Sequence, residues 1–389
     1  MKAAVSSSRD SKVVNIKFFY LLVLCYVILP VPFDFFYKTE VLTLPFSAAL
    51  RTAILLLLIW SSRHRLRSSS LFSVLVIFCV FTVILFTKNI FGHFGSPYLI
   101  VKIAAVVGLV ILMDDTLKVE DSVVLIKLFL LTYSLNVIPT ALGAIYDITE
   151  FSWGSSERFG YSGLLPDAGN EAAVFLMVMF TAAYVNHFYF NYLNISRLFS
   201  ASLLMIIFTC MVLMGSKLTI LYPLIILICH RLSLRQGYLI LLLISIGGLA
   251  VYMNAGYIRS MYSYLFDYYS DRGLLSTLLM SRDTRLSSYD LDFSISGMFL
   301  GNAGPMVNFE MDFFTIYYNL GVFGLITLML PFGYYVIPRI RTRISLGYSL
   351  SLVGAIFLAG HIIESGFLLL PLVALSKILS HYERKKLRY

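Results

Sequence analysis

Long apolar runs dominate this sequence and constrain its fold more than any other feature. About twelve of them approach the roughly 20 residues with which an α-helix crosses the hydrocarbon core of a bilayer. They lie near residues 17–33, 42–60, 71–87, 97–113, 122–146, 170–187, 198–213, 216–230, 237–253, 312–337, 346–362 and 365–379. The sequence therefore predicts an all-α, polytopic membrane protein with about twelve transmembrane helices in one transmembrane domain over residues 1–389.

The composition supports lipid as the solvent of this chain. Hydrophobic residues make up 59% and charged residues only 13%, whereas soluble proteins average about 45–50% and about 25%. This excludes a cytosolic enzyme, a secreted disulfide scaffold and a disordered chain. The four cysteines all lie inside apolar runs without a C-x-x-C or Cys/His cluster, so neither a zinc site nor a disulfide framework is indicated.

Basic residues occupy alternate connecting segments and predict the orientation of the chain. They lie in 61–70, 188–197, 230–236, 338–345 and the C-terminal tail. Since cytoplasmic loops carry excess Lys and Arg, both termini are predicted to be cytoplasmic. The net charge of +9 thus follows from topology and does not indicate nucleic acid. Only the acidic segment 114–121 breaks the pattern.

Two helix boundaries stay open at this point. Met214-Gly-Ser-Lys217 separates two apolar runs, and it is either a tight hairpin or a break in one helix. The last two runs are split around His361 and Glu364.

The predicted orientation leaves two sizeable loops on the far side of the membrane, at about 147–169 and about 254–311; loops of this length are often functional. The second loop combines several tyrosines with leucines over 257–279, which is typical of an interfacial helix. Its tyrosines either form an aromatic belt at the membrane surface or offer flat faces on which sugar rings stack.

Charged residues within or beside the apolar runs are candidate functional groups, because charges in a membrane are costly. Arg51 is either half of a buried ion pair or a ligand-binding residue. Other candidates lie at the outer boundary or in the outer loops: Lys102, Arg158, Lys217, Arg282, Arg285, Glu310, Asp312, His361 and Glu364. Arginine binds phosphate oxygens bidentately, and a carboxylate or histidine can act as the general base for a hydroxyl.

Three stretches carry a family resemblance. They are Arg158-Phe-Gly-Tyr-Ser-Gly163, followed by Gly169-Asn170; Leu213-Met-Gly-Ser-Lys-Leu-Thr219; and Glu310-Met-Asp-Phe-Phe-Thr-Ile-Tyr-Tyr-Asn-Leu-Gly321, continuing to Leu325. Together with the topology they resemble the bacterial O-antigen polymerase and O-antigen ligase superfamily. Two departures stand out. Ligases of the family typically have His-Asn where this chain has Glu310-Met311, which favours a polymerase. Lys217 stands where Arg is usual, which keeps the charge but loses the bidentate fork.

The resemblance implies a metal-independent glycosyltransferase of the GT-C-like type in the bacterial inner membrane, with no cofactor. The donor would be an oligosaccharide on undecaprenyl diphosphate, and a polysaccharide chain-length regulator is a candidate partner. The implied roles of the residues fall into three groups. Binding of the leaving diphosphate is assigned to Arg158, Lys217, Arg282 and Arg285. The general base is assigned to Glu310 or Asp312, with His361 and Glu364 as further candidates. Binding of the lipid phosphate is assigned to Arg51 and Lys102.

Two other functions remain alternatives. A ligase would transfer the glycan to lipid A-core. A flippase for lipid-linked oligosaccharides would show short loops, charges along a central path and paired halves, and the sequence shows neither short loops nor halves.

Overall fold

The structure is a computed structural model, and every part of the chain that it describes in a regular element is helical. It describes residues 18–38, 46–90, 97–152, 160–165, 170–229, 245, 269–271, 273, 287–289, 294–302, 307–309, 311–358, 360, 362–363 and 365–386. The helices are α1 (18–28), α2 (Pro30–Lys38), α3 (Phe46–Ser61), α4 (Ser68–Ile90), α5 (Pro97–Thr116), α6 (Val119–Ser134), α7 (Val137–Tyr146), α8 (Asn170–Phe188), α9 (Arg197–Met214), α10 (Lys217–Cys229), α11 (Ile295–Leu300), α12 (Asp312–Val336), α13 (Arg343–Leu358) and α14 (Leu369–Lys386).

Six helical stretches among the described residues are long and apolar enough to cross a membrane. They are Phe18–Tyr37, Ser68–Phe86, Val119–Tyr146, Asn170–Phe188, Arg197–Met214 and Asp312–Val336. This confirms a multi-pass membrane protein. Each predicted span except 237–253 overlaps a described helix, and 237–253 lies outside the described residues apart from Ser245. The total of twelve spans stays a prediction.

The open boundary at Met214–Lys217 is a tight hairpin. Gly215 takes a left-handed conformation (φ 67°) directly after α9, and α10 begins two residues later. The chain then runs back along the bundle. The contact of Cys229, at the end of α10, with Gly347, in the first turns of α13, shows this direction. The second open boundary also separates two helices: α13 ends at Leu358, and α14 begins at Leu369.

Helix α8 forms the centre of the bundle. All its residues from Ala172 to Asn186 are buried, and it packs against α6, α9, α10, α13 and α14. A helix that is apolar on all sides belongs in a protein core or in lipid, and the burial of α8 shows that its neighbours surround it. One of its few polar side chains, Thr181, forms a short hydrogen bond with Tyr222 of α10.

Ion pairs gather at one end of the bundle, which we call the basic end because the arginine-rich segments 63–67 and 339–343 lie there. The acidic segment that opposed the topology pattern supplies the partners. The pairs are Arg65–Asp121 (2.8 Å), Arg67–Asp115 (3.2 Å) and Lys377–Asp114 (2.9 Å). Segment 114–121 is therefore acidic because it pairs with the cations that mark the cytoplasmic side in the predicted topology.

Candidate functional site

The opposite end of the bundle, which we call the distal end, holds the described parts of the first outer loop. Asn136, in the break between α6 and α7, organises residues 160–165. Its side-chain amide donates to the carbonyl oxygen of Ser162 (2.8 Å), and its Oδ1 accepts from the N–H of Leu164 (2.7 Å). The Tyr161 hydroxyl donates to Asp147 Oδ1 at 2.5 Å. A short loop segment is thus held on the bundle by polar contacts.

The first two resemblance stretches meet at this end. The N–H of Tyr161 donates to the carbonyl oxygen of Leu213 at 3.0 Å. Gly160 lies so close to α9 that a Cβ atom on it would stand 1.7 Å from the carbonyl oxygen of Met214, and its φ is +123°. Only glycine fits this position, since a side chain would both clash and strain the backbone. Gly160 therefore allows the backbone of the first stretch to lie in direct contact with that of the second.

The third stretch begins with a buried carboxylate. Asp312 is the first residue of α12, and its Oδ2 accepts hydrogen bonds from the N–H groups of Ile362 (2.8 Å) and Ile363 (2.9 Å). The residue is 8% exposed. Asp312 therefore fastens the turn between α13 and α14 to the start of α12. This is a structural role, and the role of Asp312 as a general base stays a prediction.

The same stretch also holds residues 301–302 and 307–309. The Asn319 side chain donates to the carbonyl oxygen of Val307 (2.7 Å) and accepts from the N–H of Val307 (3.2 Å). Gly321 interrupts α12 with φ +63°, and a Cβ atom there would lie 2.5 Å from the carbonyl oxygen of Phe299. Asn319 and Gly321 thus let the end of the second outer loop pack directly on α12.

Arg51 forms a buried ion pair, and its partner is Asp34 near the end of the first span. The two guanidinium nitrogens Nη1 and Nη2 face the two carboxylate oxygens, with 3.1 Å between Nη1 and Oδ1. The side chains are 5% and 6% exposed. The guanidinium carbon also lies 4.8 Å from the ring centroid of Phe367. Asp34 is therefore the acidic partner of Arg51, which the sequence alone did not identify. Both terminal nitrogens of the Arg51 guanidinium group are engaged by it.

Aromatic contacts connect this pair to the rest of the distal end. The Tyr26 hydroxyl donates to the carbonyl oxygen of Gly366 (2.6 Å). The Phe367 ring lies 6.0 Å from Tyr133 and 4.6 Å from Phe175, measured between centroids. Tyr133 is about one turn before Asn136. The turn held by Asp312 and the loop held by Asn136 thus pack on the same part of the α6–α7 span.

Most of the predicted site residues lie outside the described part of the chain. These are Arg158, Arg282, Arg285, Glu310, His361 and Glu364, together with the side chain of Lys217, whose backbone begins α10. Most of the predicted interfacial helix within 254–311 also lies outside it. Among the described candidates, Lys102 is half-buried in the second turn of α5.

Asn136, Asp34 and Phe367 are the residues that sequence reasoning missed. Asn136 carries a signal that was available, because it is an amide side chain inside an apolar run and must find partners there. Within the described residues, no group of three or more His, Cys, Asp or Glu side chains is arranged to hold a metal ion; the prediction of a metal-independent site remains a prediction.

Comparison with known proteins finds no relative of this chain. No protein-family model, curated protein or solved structure matches this chain. The class that the structure defines is a helical multi-pass membrane protein, and the resemblance to the O-antigen polymerase and ligase superfamily rests on the three stretches and the predicted topology.

Proposed function

We propose that this chain is an inner-membrane glycosyltransferase that polymerises O-antigen or a related surface polysaccharide. It would move a growing glycan from undecaprenyl diphosphate to a hydroxyl of another lipid-linked repeat unit on the periplasmic side. The observation that carries the proposal is the backbone contact of Gly160 and Tyr161 with Leu213 and Met214. It joins two stretches of the resemblance that lie about fifty residues apart, at the end of the bundle opposite the basic segments.

This contact bears on where the cations lie. Arg158 is two residues before Gly160, and Lys217 is three residues after Met214. Both cations therefore adjoin the contact in sequence, which supports their assignment to a single diphosphate group.

The proposed reaction is a displacement at the sugar C1. The acceptor hydroxyl oxygen forms a bond to C1, the bond from C1 to the diphosphate oxygen breaks, and undecaprenyl diphosphate leaves with the electron pair. The hydroxyl proton passes to a base, for which Glu310 and Asp312 are the candidates. Fixed cations near the diphosphate stabilise the charge that develops there. Arg158, Lys217, Arg282 and Arg285 are assigned to this task, and Lys102 to the lipid phosphate, whereas the guanidinium fork of Arg51 is already paired with Asp34.

Transfer to lipid A-core is the second candidate, because the same stretches support a ligase. Glu310-Met311 in place of His-Asn favours the polymerase. The two differ only in the acceptor, so an assay with a single purified substrate separates them.

The test is reconstitution of the purified chain in liposomes with a lipid-linked repeat unit as the only saccharide, in the presence of EDTA. A polymerase should produce a ladder of glycans and release undecaprenyl diphosphate. A ligase should produce no ladder until lipid A-core is added.

Variants then test the assigned residues in this assay. Arg158→Ala and Arg282→Ala should abolish chain growth with normal membrane insertion, and Arg158→Lys should be impaired if bidentate contact matters. Arg384→Ala, an exposed residue at the other end of the bundle, is the matched control and should keep activity. Full activity of both Glu310→Gln and Asp312→Asn would exclude the carboxylate base.

A further inference from the structure

Tyr289, in the second outer loop, has an aromatic ring that is fixed in orientation and partly exposed. Its ring centroid lies 5.5 Å from that of Phe309 and 5.9 Å from that of Tyr318, and the ring planes meet at 84° and 71°. Both contacts have the edge-to-face geometry that aromatic pairs prefer. Together they hold the Tyr289 ring in one orientation.

The Tyr289 ring has one side that these neighbours leave uncovered. Phe309 and Tyr318 also contact each other, with 5.1 Å between their centroids, so both lie on the same side of Tyr289. Phe309 is fully buried and Tyr318 is 6% exposed, whereas Tyr289 is 39% exposed. The exposed part of the Tyr289 ring therefore lies on the side away from its two neighbours.

The support of this ring is a small apolar core at the start of α12. It consists of Val307, Phe309, Met311 and Tyr318. The Asn319 side chain holds Val307 by the two hydrogen bonds described above, and the N–H of Phe309 donates to Thr315 Oγ1 at 3.1 Å. The aromatic neighbours of Tyr289 are thus themselves fixed to the first turns of α12.

The sequence around Tyr289 is polar, which separates this residue from an aromatic belt. Ser287 and Ser288 precede it and are both exposed, and Asp290 follows it. A belt tyrosine lies at the end of an apolar span with its ring against lipid. A flat aromatic face with polar residues beside it instead matches a sugar ring, which has apolar C–H groups on its face and hydroxyl groups at its edge.

The neighbours of Tyr289 indicate which sugar it would bind. Phe309, on which it packs, directly precedes Glu310 in the sequence, and Glu310 is a candidate general base. A general base has to reach the hydroxyl group whose proton it takes, and that hydroxyl belongs to the acceptor. The contact with Phe309 therefore favours the acceptor sugar over the donor sugar.

We propose that Tyr289 is a stacking platform for the acceptor sugar of the lipid-linked repeat unit, with one face of the sugar ring on the exposed side of the Tyr289 ring. This inference rests on the proposed function, which supplies the ligand. It adds a substrate-binding residue to a site that is otherwise assigned only to cations and general bases.

The experiment is a titration of the purified full chain in nanodiscs, followed by saturation-transfer difference NMR. The probe is the repeat-unit oligosaccharide released from its lipid carrier, which keeps the acceptor hydroxyls but has no diphosphate and cannot act as donor. Tyr289→Leu removes the aromatic face and should weaken binding about two- to tenfold, the range expected for one ring contact. Tyr289→Phe keeps the ring and should bind nearly as well as wild-type protein.

Tyr146→Leu is the matched control, since Tyr146 is an exposed tyrosine (71%) at the end of α7, at the same end of the bundle. It should leave oligosaccharide binding unchanged. Equal losses in the two leucine variants, or no loss in Tyr289→Leu, would overturn the platform. Undecaprenyl diphosphate without a sugar is the second probe, and an equal loss of its binding in Tyr289→Leu would identify a lipid contact and overturn the saccharide assignment.

The binding assay and the ladder assay separate this inference from the proposed function. Oligosaccharide binding that depends on Tyr289 in a chain that makes no ladder would support the platform and contradict polymerisation. A ladder together with binding that is insensitive to Tyr289→Leu would support polymerisation and contradict the platform. No oligosaccharide binding by wild-type protein would also contradict the platform.

Discussion

The buried pair of Asp34 and Arg51 allows a quantitative test of how the distal end is held together. Both side chains are almost fully buried, and the guanidinium group lies over the ring of Phe367. Asp34→Asn keeps the size of the side chain but leaves the Arg51 charge without a counter-charge. Removing one member of a buried ion pair costs about 3–5 kcal/mol, whereas replacing both members by apolar residues often costs nothing.

We therefore expect Asp34→Asn to lower the free energy of unfolding by about 3–5 kcal/mol, and the double variant Asp34→Leu/Arg51→Met to recover most of that loss. Unfolding in mixed micelles of SDS and a mild detergent, followed by circular dichroism, measures both. Lys377→Met is the control, because Lys377 and its partner Asp114 are each about one-fifth exposed (20% and 21%). A partly exposed pair contributes about 0–1 kcal/mol.

A loss below about 1 kcal/mol for Asp34→Asn would refute this reasoning, and so would a double variant as unstable as Asp34→Asn itself. The double variant also separates the two roles left open for Arg51. A stable protein with normal chain growth assigns Arg51 to structure alone, whereas a stable protein without chain growth assigns it to the lipid phosphate as well.

Three further predictions concern single residues. Gly160→Ala should lower stability by more than about 1 kcal/mol, because it adds a clash to a positive φ, and should reduce chain growth; Gly354→Ala, which meets nothing within 4 Å, should be neutral or stabilising in the same SDS unfolding assay. Asn136→Ala should make the loop at 160–165 more sensitive to protease, without changing helix content by circular dichroism. Burial raises the pKa of the Glu383 carboxyl above 4.5, so stability should fall as the pH rises from 4.5 through that raised pKa; a Glu383→Gln protein with an unchanged pH profile would contradict this.

The helices could be predicted from the sequence because the requirement is local. An apolar run in lipid has to satisfy its own backbone hydrogen bonds, and a helix does this within the segment. The positions of α4, α8, α9 and α12 therefore agree with the predicted spans. The hairpin at Gly215 could not be decided in this way, since a broken helix and a hairpin share the same residues. It is decided by the distant contact of Cys229 with Gly347.

The partners of charged groups were harder to predict, because they depend on which helices become neighbours. The acidic segment 114–121 does not fit the topology pattern by itself, and its acidic residues pair with Arg65 and Arg67, which lie beside it. Asp34 directly follows the first predicted span (17–33), yet it neutralises Arg51, which lies seventeen residues later.

The candidate site was predicted by chemistry and resemblance, and packing gave several of its residues other tasks. Asp312 was selected as a carboxylate at the outer boundary, and it receives two backbone N–H groups from the turn before α14. Gly160 and Gly321 belong to the stretches of the resemblance, and each permits a close backbone contact. Such contacts cannot be read from composition or spacing, because they join segments far apart in the chain.

The most direct test of the central proposal is a gel of the surface polysaccharide from a strain that lacks this protein, with and without a plasmid copy. A polymerase predicts loss of the ladder, with lipid A-core capped by a single repeat, and recovery of the ladder with the plasmid. Uncapped core with long chains accumulating on undecaprenyl diphosphate would identify a ligase. Repeat units retained on the cytoplasmic side would identify a flippase and contradict the proposed transfer site.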